Sequence, residues 1–221
     1  MVIKAVGGGM PIRPDLEDRI DAWIHALALV LSVLGLLFLL ENAPRGPDIL
    51  SVASPGVYGT ALVLLFSASL LNLLSRGHRL GPVFRALDHC AIFLLIAGTY
   101  SPVTLLALPQ ADGWNLFATV WTLALAGIVL RIFWARGFAR VSLGLYLGTG
   151  WIGGLWAGDL ASAADTGAAV WLLAGGLAYT TGVYFFAAPR IPFANAIWHL
   201  FVAAGSACHF FAIAVYVLPV A

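Results

Sequence analysis

The sequence predicts an all-α integral membrane protein, a seven-transmembrane-helix bundle with the N-terminus in the cytoplasm and the C-terminus outside. Three observations carry that expectation: an apolar composition, seven runs of spanning length, and a one-sided distribution of basic residues. Of 221 residues, 62% are hydrophobic and 10% charged, against about 25% charged in a soluble domain. Such a chain cannot clothe a water-facing surface, and its mean hydropathy is +0.97. A net charge of +1 supplies no basic face for nucleic acid, so membrane lipids remain as the expected partners.

A crossing takes roughly 20 apolar residues at about 1.5 Å each to cover ~30 Å of hydrocarbon. Runs of that kind lie at about 22–40, 56–74, 88–107, 115–133, 141–158, 167–187 and 195–218. The breaks hold turn formers and charges, such as ENAPRGPD at 41–48 and SRGHRLGP at 75–82. The fifth run is glycine-rich: Gly144 and Gly148, then Gly150, Gly154 and Gly158, recur at four-residue spacing. Small residues at that spacing predict close helix approach in lipid. Residues 1–16 read as a cytoplasmic tail and 17–221 as one membrane domain. The first twenty residues lack the apolar core of a cleavable signal, so the first span is expected to direct its own insertion. The halves show no repeat, which argues against an inverted-repeat transporter. Cys90 and Cys208 fall inside apolar runs, where thiols pack as small hydrophobes.

Orientation follows from the basic residues. Lys4, Arg13 and Arg19 precede the first run; Arg76, Arg79 and Arg85 lie between the second and third. Arg131, Arg136 and Arg140 flank the fourth loop and Arg190 the sixth, leaving Arg45 alone on the other side. Basic loops stay in the cytoplasm, so a chain of seven crossings ends outside.

Ionisable groups inside a span are costly and mark functional sites. Asp21 and His25 open the first span, with Glu17 one turn earlier. Ser69 and Asn72 close the second, Asp88 and His89 open the third, and Asn195 and His199 open the seventh. Four helices thus bring polar side chains to the inner leaflet. Singly, each has a bland reading: Asp88 as a first-turn carboxylate favouring the helix dipole, Asp21 and Glu17 as surface acids. Together, Asp88, His199 and His25 point to a shared buried site. His209 lies ten residues past His199, about 15 Å along the helix, and is expected to bond to a neighbouring helix. His78, in an arginine-rich loop, is expected to be solvated.

The segments DHCAIFLLIAGTYSP (88–102), YGTALVLLFSAS (58–69), GGLAYTTGVYF (175–185) and RIPFANAIWHLFV (190–202) resemble the hemolysin III family. These are bacterial relatives of the progestin and adipoQ receptors and of the alkaline ceramidases. The resemblance runs from about Glu17 to the C-terminus. It implies a seven-helix bundle in the bacterial inner membrane and a zinc ion near its cytoplasmic face. That zinc would be held by the histidine of a Ser-x-x-x-His in span two and both histidines of a His-x-x-x-His in span seven. A carboxylate at Asp88 would support the attacking water, with Ser69 beside it. This sequence departs from the pattern: Leu73 stands four residues after Ser69, and Asn195 replaces the first span-seven histidine. Asn72 is adjacent to Leu73 and rotated about 100° from it. His199 remains as a residual ligand, and a rebuilt site would draw on His25, Asp88 and His199, with Asn195 as a further donor. The alternative is a metal-free cluster in which Asn195, Ser69, Asp88 and His199 hydrogen-bond to one another. Three readings follow. The first is a non-catalytic membrane protein with a degenerate zinc site, linked to lipid binding or membrane homeostasis. The second is a metal-dependent hydrolase of a lipid amide or ester using Asp88 and Ser69. The third is a channel or membrane-permeabilising protein.

Overall fold

The computed structural model describes residues 14–44, 49–156, 166–188 and 190–218, and no strand occurs among them. Helix α1 spans Pro14–Asn42 and opens on proline, whose fixed φ suits a first turn. Helix α2 spans Leu50–Leu74 and stops where Gly77 takes φ +79°, a left-handed conformation that glycine adopts without a Cβ penalty. Helix α3, Gly81–Pro102, continues into a wider π turn over Val103–Ala107 and ends before Pro109. Thr104 Oγ1 donates to the Tyr100 carbonyl at 2.8 Å, giving a partner to one carbonyl in this Pro102 region. Helices α4 (Gln110–Phe133) and α5 (Ala135–Trp151) meet at Trp134, and α5 tightens into a 3-10 turn over Ile152–Trp156. Helix α6 spans Thr166–Ala187; α7 spans Ala194–Ala212 and runs into a π turn at Ile213–Val217.

Each helix packs on its neighbours in the chain, most extensively α6 with α7 and α2 with α3, and α7 closes the ring on α1. The interior is filled by Tyr58, Phe66, Phe93 and Phe138, each nearly or fully buried, with Leu39 and Ile213 beside them. The outside stays apolar: Leu27, Leu31 and Leu34 on α1 are all more than half exposed. An apolar exterior around a packed interior is the arrangement lipid requires, since helices satisfy their own backbone there.

Among the described residues six helices are long and apolar enough to cross a membrane; the fifth apolar run is shorter, Val141–Leu155. Its α-helical rise is about 22 Å. The expected glycine packing is corrected too. A Cβ added at Gly144, Gly148, Gly150 or Gly154 would meet nothing within 4 Å, and Gly158 lies outside the described residues, as does most of the 1–16 tail. The spacing alone missed this because Gly144 and Gly148 are exposed, while Gly150 and Gly154 line a cavity between α3, α5 and α6 rather than a close contact. Gly148→Ala is therefore expected to leave unfolding in detergent unchanged or to raise stability by up to about 1 kcal/mol, the helix propensity gained.

Candidate metal centre

Asp21 and His25, four residues apart, share one face of α1, and each is only 1% exposed. A carboxylate and an imidazole so buried in an apolar helix need partners. They find them across the ring closure. His199, one turn into α7, has Nδ1 2.5 Å from Asp21 Oδ1, and His25 Nε2 lies 3.6 Å from the same oxygen. The two imidazole centroids are 4.2 Å apart. One ligand atom from each of Asp21, His25 and His199 falls within 4.8 Å of the others.

Glu17, one turn before Asp21, accepts the Asn195 N–H at 3.2 Å. That amide is one of the unpaired donors of the first turn of α7, so a carboxylate of α1 caps α7 across the helix interface. At the exposed rim Arg76 pairs with Asp18.

A second cluster stands on the α2–α3 side. Ser69 Oγ donates to Asp88 Oδ1 at 2.5 Å, and Asn72 Nδ2 donates to Asp88 Oδ2 at 2.8 Å. The sequence set Asn72 aside by its angle to Leu73. Its angle to Ser69 is the relevant one, about 60° at three residues' spacing, so both side chains face Asp88 while Leu73 is buried. Asp88 makes neither a hydrogen bond nor an ion pair with His199. It lies within Coulombic reach of His25, which stands between the clusters.

The expected site is thus redrawn. The sequence set Asp21 at the same depth as His25 but left it out of the shared site, with a surface acid as its bland reading; it is the central carboxylate. The available signal was its four-residue spacing to His25, the same as that of Asn195 to His199. Asn195 is exposed and contributes its backbone N–H, not a ligand oxygen. Asp88 belongs to the neighbouring cluster rather than the ligand group. His89 turns away: Arg131 Nε donates to its Nδ1 at 3.0 Å and the Tyr146 hydroxyl to its carbonyl at 3.1 Å. His209 Nε2 meets the Leu172 carbonyl at 3.1 Å, the interhelical bond expected of it. His78 is exposed, and both cysteines are free.

Two imidazoles and one carboxylate form the donor set of zinc sites that keep one position open, and also of non-haem iron sites. Ligand atoms around a tetrahedral zinc stand about 3.3 Å apart. The Asp21–His199 contact, at 2.5 Å, must open and the His25–Asp21 pair, at 3.6 Å, close slightly; the two imidazole nitrogens stand within 4.8 Å of each other. One feature weakens the fit. His25 Nδ1 is buried without a hydrogen-bond partner, whereas metal-bound imidazoles normally anchor their second nitrogen. The donors fit a transition metal in kind and number, with an incomplete outer shell.

The family model Haemolysin-III related matches residues 16–210. The chain is 38% identical to "Hemolysin-3" of Bacillus cereus over 205 residues, covering 93% of this chain and 94% of that one. It is 34% identical to the "Hemolysin-3 homolog" of Bacillus subtilis (strain 168) over 204 residues, 92% and 96% of the two chains. It is 30% identical to the human "Monocyte to macrophage differentiation factor" over 210 residues, 89% and 83%.

Proposed function

Because the chain belongs to the Haemolysin-III related family, a group of multi-pass membrane proteins, we propose that it is a non-hydrolytic member built around a weak metal centre. Asp21, His25 and His199 would hold the ion, and its role would lie in lipid binding or membrane homeostasis. The observation that carries this reading is the single Asp21 oxygen shared by two imidazoles from α1 and α7.

A bound zinc-class ion would supply Lewis acidity toward water. The chain's own residues supply little else for hydrolysis. Both Asp88 oxygens accept a hydrogen bond from α2, which pins the carboxylate outside the ligand group although a lone pair remains on each oxygen. The unanchored His25 ring leaves its metal bond poorly oriented. The one-sided arginines support a cytoplasmic N-terminus. A seventh crossing is supported by the combined α5 and 3-10 segment, 135–156, whose rise totals about 35 Å.

The test is elemental analysis of the protein purified in detergent and equilibrated with buffered zinc. Well under one zinc per chain is expected, falling at least tenfold in His25→Ala and His199→Ala and unchanged in Ser69→Ala. Zinc retained by His199→Ala would overturn the ligand set. Release of fatty acid from an amide or ester lipid, abolished by Asp88→Asn, would establish the hydrolase instead.

A further inference from the structure

Arg131, in the last turn of α4, is half-buried and has no counter-ion: among the described residues no carboxylate oxygen lies within 4.0 Å of it. Its Nε is spent on His89 Nδ1 at 3.0 Å, and its guanidinium carbon lies 5.7 Å from the Phe138 ring centroid. The accepting nitrogen of His89 carries a lone pair, so the imidazole orients the guanidinium without neutralising it. Asp88, next along α3, has both oxygens engaged by Ser69 and Asn72. Exposed Arg85 adds a second positive charge within Coulombic reach of His89. Arg131 thus sits where His89 of α3, the end of α4 and Phe138 of α5 meet. Asp88 also lies within Coulombic reach of His89 but forms no ion pair with Arg131, and among the described residues the terminal nitrogens of Arg131 make no hydrogen bond.

We infer that Arg131, at this junction, binds the phosphate headgroup of an anionic phospholipid. A guanidinium fixed through Nε presents its remaining N–H groups as a fork suited to phosphate oxygens. The depth selects a lipid as the source. Phe133 and Trp134, the next residues but one and two along the chain, are 82% and 53% exposed. Exposed aromatics at a span end mark the headgroup level. An anionic headgroup supplies the counter-charge Arg131 lacks, whereas phosphatidylcholine brings its own cation. Attraction of this kind between basic residues and anionic lipid acts at short range.

The test titrates the detergent-purified full chain with short-chain phosphatidylglycerol, with phosphatidylcholine and with inorganic phosphate, following thermal stability and, by native mass spectrometry, bound lipid. Phosphatidylglycerol alone is expected to stabilise the chain. Arg131→Gln should weaken its apparent affinity about tenfold and Arg131→Lys by less, because lysine keeps the charge but not the fork. Arg79→Gln, in the exposed α2–α3 turn, should leave it unchanged. If Arg131→Gln does not fold, Arg131→Lys and the lipid comparison on the unaltered chain still decide. Equal response to phosphatidylcholine or inorganic phosphate, or unchanged affinity in Arg131→Lys and Arg131→Gln, overturns the site.

Discussion

Asp21→Ala is expected to lower the unfolding free energy by about 2–4 kcal/mol. The carboxylate is 1% exposed and is the shared partner of His199 and His25. Its removal leaves His199 Nδ1 without its bond and takes the remaining neighbour from His25, whose Nδ1 is already unpartnered. Each buried polar group left unsatisfied costs roughly 1–3 kcal/mol; His25 is fully buried, and His199, 20% exposed, bears part of that cost. Ordinary hydrogen bonds between membrane helices average only about 0.6 kcal/mol, so the size of the loss separates a charged hub from a routine interhelical contact. Asp21→Asn keeps the shape and one acceptor and should recover about half of the loss. Reversible unfolding in mixed micelles measures both. A loss near 0.6 kcal/mol for Asp21→Ala would mean that the carboxylate is not what joins α1 to α7.

Gly175→Ala is expected to cost about 2–3 kcal/mol, at the upper end of what overpacking does. A Cβ there would stand 2.2 Å from His209 Cδ2, 2.4 Å from His209 Nε2 and 3.0 Å from the Gly205 carbonyl. The ring cannot swing aside cheaply, because Nε2 holds the Leu172 carbonyl, and the third obstacle is backbone. Helices α6 and α7, the most extensively packed pair, would have to separate. The same unfolding measurement, with Gly148→Ala as the open-face control, checks this. Equal stabilities for the two alanine variants would show that the α6–α7 approach is looser than described.

The membrane helices were legible from sequence because lipid leaves the backbone few options, and apolar runs of spanning length declare themselves. The fifth run was the exception. Its glycines suggest packing, yet no neighbour comes close to those at 144, 148, 150 and 154, and the chain tightens into a 3-10 turn at Ile152–Trp156. His199, His25, Asp88 and Ser69 were legible as polar groups at one depth. Their sorting into two clusters was not, since helical spacing fixes a face but not which helix arrives against it. Asp21 was misread for that reason: 178 positions separate it from His199, and without α7 it looks like an acid at a helix mouth. Asn195 erred in the opposite direction. Its spacing to His199 is right for sharing a face, but it sits in the first turn, where its backbone amide rather than its side chain has an obligation to meet.

The stitching of Glu17 and Asp21 to α7 has a consequence for biogenesis. Asp21 and His199 are 178 positions apart, so a nascent chain holds the α1 carboxylate without its α7 imidazole until α7 has been inserted. A chain stalled between the two presents to membrane proteases a helix with its acid still seeking a partner.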